Sequence, residues 1–197
     1  MAQLVVNFEC PGCGAPVSTS DKTCNYCKGP VTISTFNSVA SLSLPDITKY
    51  ANSYNKALAA NPADANLRCS AGMCYLKLRL YDKALPAFEA TIASNFDGSE
   101  AYFYAAVCLL KGQKAFLATR PVIDKAMEYL NAALMIEPRG IYHYFMAYIK
   151  YDYFSRKFFK ISPDYQETLQ MASAADLSEH DINQLFEILG VARPSVL

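Results

Sequence analysis

Residues 65–98, ANLRCSAGMCYLKLRLYDKALPAFEATIASNFDG, read as two helices joined by a turn. In the first half Ala71, Gly72 and Tyr75 fall a turn or less apart, and in the second Ala84, Phe88 and Thr91 do the same, with Leu80, Tyr81 and Asp82 as the predicted turn. Small residues let two helix backbones approach closely, and the aromatics fill the space left over. One such pair cannot bury its own apolar face, so further copies are required.

The same offsets recur on both sides. Upstream, Tyr50, Tyr54, Ala57 and Pro62 mark a second-helix half, predicted over about Asp46 to Ala60 and ended by Asn61-Pro62. Downstream, Tyr102, Ala105, Ala106 and Leu109 mark a first helix, and Ala126, Leu130, Ala133 and Pro138 its partner. Gly140 to Lys160 follows as another first helix, with Tyr144, Ala147, Tyr148 and Tyr151 on the expected face. Leu109 lies seventeen residues before Ala126 where Tyr75 lies nine before Ala84, so an insertion is expected at about 111–124.

This spacing resembles the tetratricopeptide repeat, whose small residue and Gly, then Tyr, then Ala and Phe appear as Ala71-Gly72, Tyr75, Ala84 and Phe88. Arg68 stands at the pattern's Trp and Phe96 at its closing Pro, and the resemblance covers about residues 46–160. It implies a mainly α fold, a right-handed superhelix of helix pairs, and a scaffold that holds a protein or peptide partner in a concave groove lined by first helices. Carried over residue by residue, that groove is lined by Asn66, Cys69, Met73 and Lys77, by Glu100, Phe103, Val107 and Lys111, and by Tyr142, Phe145, Ile149 and Tyr153. These residues are mainly apolar and aromatic, so the expected occupant is an apolar or aromatic segment, or the chain's own C-terminal helix, bound by burial.

Cys10-Pro11-Gly12-Cys13 and Cys24-Asn25-Tyr26-Cys27 are two CxxC knuckles ten residues apart. Two thiolates on a tight turn grip one ion together, and two such turns supply the four sulfurs of tetrahedral zinc. Four cysteines complete the shell, which points to structural and not catalytic metal. Gly12, Gly14 and Gly29 are expected to free the turn backbone to point N–H groups at sulfur. The segment looks like a small β zinc ribbon over residues 1–34, with strands expected at Leu4 to Phe8 and Val31 to Phe36. A redox dithiol comes singly near a βαβ pattern, and rubredoxin-type iron knuckles are usually further apart.

Residues 35–45 read as a linker that docks, since Phe36, Val39, Leu42 and Leu44 need cover. Ser43-Leu44-Pro45-Asp46 opens the first long helix as a capping box with Asp in place of Glu. That helix has no helical partner before it, so the ribbon or its linker is expected to cap the array. The insertion carries Lys111, Lys114 and Arg120 against Asp124, net +2, with Phe116 and Leu117 expected at the surface. Its two readings are a long connector and a partner-binding loop. Residues 150–160 are +3 and residues 161–197 are −5. That tail is read as two capping helices, about Pro163 to Ala175 and Ser178 to Leu189.

The chain has equal numbers of acidic and basic residues, so no global field recruits nucleic acid or a membrane, and neither is the expected partner. Hydrophobic residues make up 52%, high for a solenoid, so part of its apolar surface is expected to be covered. No long apolar run and no basic start appear at MAQLVVNFE, and the expected location is the cytoplasm. Gly-rich phosphate loops, nucleophile elbows and paired histidine motifs are absent from the sequence. Cys69, Cys74 and Cys108 read as core thiols, His143 as a core residue and His180 as surface. The expected function is a non-enzymatic adaptor, with a possible role as homo-oligomer or complex subunit. Its rivals are a nucleic-acid-associated zinc-ribbon factor and a redox or zinc-responsive regulator.

Overall fold

A computed structural model describes residues 6–197; Leu4 and Val5, the start of the predicted first strand, lie outside the described residues. The chain divides into two compact units, Met1–Phe96 and Asp97–Leu197.

In the first unit β1 (Asn7–Glu9) and β2 (Pro16–Ser18) form an antiparallel hairpin with Phe8 opposite Val17. The strand predicted at Val31–Phe36 does not form. Val31, Ile33 and Phe36 are buried there as anchors, and the Ile33 backbone finds a side chain in place of a neighbouring strand. Its N–H donates to Ser70 Oγ at 2.7 Å, and that hydroxyl donates to the Ile33 carbonyl at 3.2 Å. β-branched and aromatic residues suit a half-buried extended segment whether or not it pairs.

Four helices follow: α1 (Asn37–Ala40), α2 (Leu44–Ala60), α3 (Ala65–Lys77) and α4 (Tyr81–Ser94). Ser43 caps α2 by accepting from Asp46 N–H at 3.3 Å, and Asp64 caps α3 by accepting from Leu67 N–H at 2.9 Å. Arg79 turns the chain in the left-handed region, so α4 already starts at Tyr81, inside the predicted turn. The α3–α4 pair is the predicted hairpin, with Ala71, Gly72, Ala84 and Phe88 all buried. The linker packs against α3: Phe36 and Val39 are buried, and Lys77 Nζ donates to the Ala40 carbonyl at 3.1 Å, whereas Leu42 is only half-buried and Leu44, expected to be covered, is exposed at the start of α2.

The second unit holds α5 (Ser99–Leu109), a 3₁₀ turn (Ala115–Leu117), α6 (Arg120–Ile136), α7 (Gly140–Ile149), α8 (Tyr165–Ala174) and α9 (Glu179–Leu189). The first helix predicted to run to Lys160 is regular only to Ile149. It widens into a π turn at Lys150–Phe154 and tightens into a 3₁₀ turn at Ser155–Lys157. Helix α8 is more than a cap, because it pairs with α7 as a further second helix. Gly140 allows the close approach: a methyl carbon there would meet the carbonyl oxygens of Ala172 and Ala175 at 2.8 Å, and Gly140 N–H donates to Ala175 O at 2.8 Å. Asp164 and Glu167 form a full capping box on α8.

Candidate functional site

The two knuckles fold alike. Cys10 N–H donates to Ala15 O at 2.7 Å and Gly14 N–H to Cys10 O at 2.9 Å; Cys24 N–H donates to Gly29 O at 2.9 Å and Lys28 N–H to Cys24 O at 3.0 Å. Gly14 and Lys28 occupy matching left-handed positions, with φ of 80° and 60°. Gly12 and Gly29 serve close approach. A methyl carbon at Gly12 would lie 3.2 Å from both Cys27 Sγ and the Tyr50 hydroxyl, and one at Gly29 would lie 2.8 Å from that hydroxyl. Tyr50, on α2, thus reaches over both knuckles.

The four sulfurs of Cys10, Cys13, Cys24 and Cys27 all lie within 4.8 Å of one another. Cys10 Sγ is 3.7 Å from Cys27 Sγ, and Cys13 Sγ is 3.7 Å from Cys24 Sγ. A tetrahedron with zinc–sulfur bonds of about 2.3 Å has edges of about 3.8 Å, so this donor set fits zinc in number, chemistry and size. The electrostatics are uneven. Backbone N–H groups of Cys27 and Tyr26 bring the Cys24 thiol down to about 6, whereas burial pushes Cys10 up to about 12. Cys10 and Cys24 are buried with Val17 and Val31, and Cys13 and Cys27 are exposed.

The ribbon is seated on α2. The Tyr54 hydroxyl donates to Val31 O at 3.0 Å, Ser53 Oγ to Glu9 O at 3.1 Å and Lys56 Nζ to Glu9 Oε2 at 3.0 Å. Lys49 Nζ donates to the Gly12 carbonyl, and the Phe8 and Tyr54 rings are 6.3 Å apart. Tyr50 was legible only as a helix position, because nothing local signals that it reaches residues 12 and 29.

The residues assigned to the groove fall in different settings. In the first unit Met73 is buried, whereas Asn66, Cys69 and Lys77 are half-buried. In the second unit Phe103, Val107, Tyr142, Phe145, Ile149 and Tyr153 are all buried, and Lys111 is exposed. The cover over α5 and α7 includes α9, whose Ile182, Leu185, Phe186, Ile188 and Leu189 are buried. Phe186 meets Tyr148 and Tyr144 edge-on at 5.4 and 6.3 Å between ring centres, and Phe103 sits 5.0 Å from Tyr142 and 5.9 Å from Phe145. A narrow cleft of about 30 Å³ follows the seam between α9 and the face, with Glu100, Arg139 and Asp181 among its walls. Arg139 Nη1 donates to Glu100 Oε1 at 2.9 Å and to Tyr142 Oη at 3.3 Å. Burial holds the Glu100 carboxyl above its usual range, against the pull of Arg139.

The inserted loop is docked. Ala115 N–H donates to Tyr148 Oη at 3.3 Å and Phe116 N–H to Asp152 Oδ2 at 2.8 Å. Asp152 is buried and also accepts from Arg156 Nη1 at 2.5 Å. Phe116, expected at the surface, is half-buried because the Arg156 guanidinium and Lys157 Nζ lie 4.5 Å and 4.9 Å from its ring centre, while Leu117 is exposed as expected. Cys74 and Cys108 are buried, His180 is exposed, and His143 is half-buried with its imidazole pushed down by burial and by the Lys150 charge. No helix among the described residues is long and apolar enough to cross a membrane.

No family model matches the chain, and no curated protein does. Solved structures do. A MamA RS-1 double mutant shares 18% identity over 76% of this chain and 70% of its own, with a TM-score of 0.52. MamA MSR-1 C2 and MamA from Desulfovibrio magneticus RS-1 each share 18% identity, cover 77% and 78% of this chain and 73% and 71% of their own, and have TM-scores of 0.49. The likeness is one of fold: the chain is mainly helical, a tetratricopeptide-like array of helix pairs with a small two-stranded sheet.

Proposed function

We propose that this chain is a non-enzymatic protein-interaction adaptor, in which a zinc-loaded ribbon caps a helical-hairpin array and the first-helix face of the second unit receives an amphipathic helix. What supports it most is the seating of α9: an amphipathic helix lies on α5 and α7 with Ile182, Leu185, Phe186 and Leu189 buried and the Phe186 ring against Tyr144 and Tyr148. This is the helix-in-groove mode of recognition, filled here by the chain's own segment. A partner helix therefore competes with α9. In the first unit Asn66, Cys69 and Lys77 keep a partly open face of the same kind.

Zinc on Cys10, Cys13, Cys24 and Cys27 would act as a cross-link between the knuckles, with no position left for substrate. Within the described ribbon Glu9 and Asp21 balance Lys22 and Lys28, which favours a protein over a nucleic acid as its neighbour. Reduced thiols suit the cytoplasm.

Amide hydrogen exchange tests the helix-face reading. If α9 is an exchangeable occupant, its amides open at a lower free energy than those of α6, which is locked into a hairpin. Exchange of α9 only through global unfolding of the second unit contradicts it.

A further inference from the structure

We infer that the second unit carries a docking surface for an anionic lipid bilayer, built where the inserted loop meets the turn after α7. Two segments far apart in sequence form it. The contacts of Phe116 with Asp152, Arg156 and Lys157 hold residues 114–117 alongside residues 156–160. The apolar side chains left in water there are Leu117, 66% exposed, Phe158, 93% exposed, and Phe159, 50% exposed. Lys114, Arg156 and Lys160 are exposed beside them, and Lys157 is half-buried.

Phe158 is the most informative residue. It ends the Ser155–Lys157 turn in the left-handed region, φ 59°, with Phe159 N–H donating to Phe154 O at 2.8 Å. That closing position favours glycine, and a bulky side chain there is strained. Its ring is nearly all in water, so it adds little to the packing of this unit. A large apolar side chain kept at a strained and exposed position needs a reason outside the fold, and an external apolar phase supplies one.

Charge decides which phase. Basic groups flanking protruding aromatic and aliphatic side chains match an anionic membrane interface, where the rings enter the headgroup region and each nearby cation adds attraction. The acids close by are engaged. Asp152 is buried against Arg156 and Phe116 N–H, while Asp164 and Glu167 accept from each other's end of the α8 capping box. The exposed Leu117 suits acyl chains and offers nothing to stacked bases, so a lipid surface fits better than single-stranded nucleic acid. An open hollow beside the rings has Phe158, Phe159, Lys150 and Lys160 in its wall together with Asp164, whose carboxylate is held in the α8 capping box.

Flotation of the full chain with phosphatidylcholine vesicles, with and without phosphatidylserine, tests this. The chain should float with the phosphatidylserine vesicles alone, and less so as salt rises. Phe158→Gly should weaken the association about tenfold or more while leaving the thermal midpoint unchanged or higher. Lys160→Ala, at an exposed site, should weaken it about fivefold. Failure to float with anionic vesicles, equal flotation with both vesicle types, or variants that float like the parent overturns the proposal. So does an oligonucleotide that displaces the vesicles and loses affinity through the same two substitutions.

Discussion

Gly72 in α3 faces the ring of Phe88 in α4 so closely that a methyl carbon added to it would lie 3.0 Å from ring carbon Cε1 and 3.1 Å from Cζ. The ring fills the space a side chain would occupy, and both residues are fully enclosed. Gly72→Leu should overpack this contact and destabilise the first unit by roughly 1 to 3 kcal/mol, as should Ala84→Leu on the facing helix. Thermal melts unchanged for both variants would mean that α3 and α4 do not pair through these residues.

Why Gly72 and Phe88 could be read from the sequence is physical. A close helix crossing needs small and aromatic residues at helical spacing, and that pattern is local. The four cysteines were legible for a similar reason, since a knuckle is a short-range object. Helix α8 was harder to place because it buries little beyond Thr168 and Ala172, and its docking rests on Gly140 more than twenty residues earlier. In α9, Ile182, Leu185, Phe186 and Leu189 are a buried apolar stripe, but periodicity tells which side of a helix is buried and not what covers it. The same limit hid the insertion's anchor. Asp152 is the one acid among Lys150, Arg156, Lys157 and Lys160 in sequence, and only the fold brings Phe116 N–H to it.

Purified without oxygen or chelator, the chain should hold a single zinc ion on its four cysteines. Because Tyr54, Ser53 and Lys56 of α2 bond directly to the ribbon, Cys13→Ser or chelation should loosen α2 as well as the ribbon. Iron in place of zinc by elemental analysis would contradict the metal assignment, and amides of α2 that exchange no faster after metal removal would contradict the coupling.

Asp152→Ala should release the inserted loop, leaving Phe116 N–H without its acceptor and Arg156 without its partner. Hydrogen bonds to a charged group of this kind contribute about 1.5 to 3 kcal/mol. The Phe116 amide should then exchange markedly faster than in the parent, and a rate unchanged within error would show that other contacts hold the loop.

Lys150 is buried between α7 and α8, donating to Pro163 O at 2.8 Å and Thr168 Oγ1 at 2.9 Å. Burial lowers its pKa, while Asp164 and Glu167 oppose the shift. The unfolded chain therefore holds this proton to higher pH than the folded one. Stability from this group should rise as pH climbs from the lowered folded pKa toward the ordinary lysine value near 10.5. Denaturation midpoints of the parent and Lys150→Met, compared at alkaline pH up to about 10.5, should show the parent gaining stability relative to the variant as pH rises.

The central claim is that the face of α5 and α7 binds an amphipathic helix, with α9 as its present occupant. Phe186→Ala removes the ring that meets Tyr144 and Tyr148 and should cost about 3 kcal/mol, enough to loosen α9 while the α5–α6 and α7–α8 hairpins stay paired. The direct measurement is fluorescence anisotropy of a labelled peptide of residues 178–197 titrated with the parent chain and with this variant. The peptide should bind the variant, raise its melting temperature by mass action, and fail to bind the parent, whose own α9 fills the site. A peptide that binds neither chain and leaves the variant's melting temperature unchanged would show that α9 is fixed core and not an exchangeable occupant.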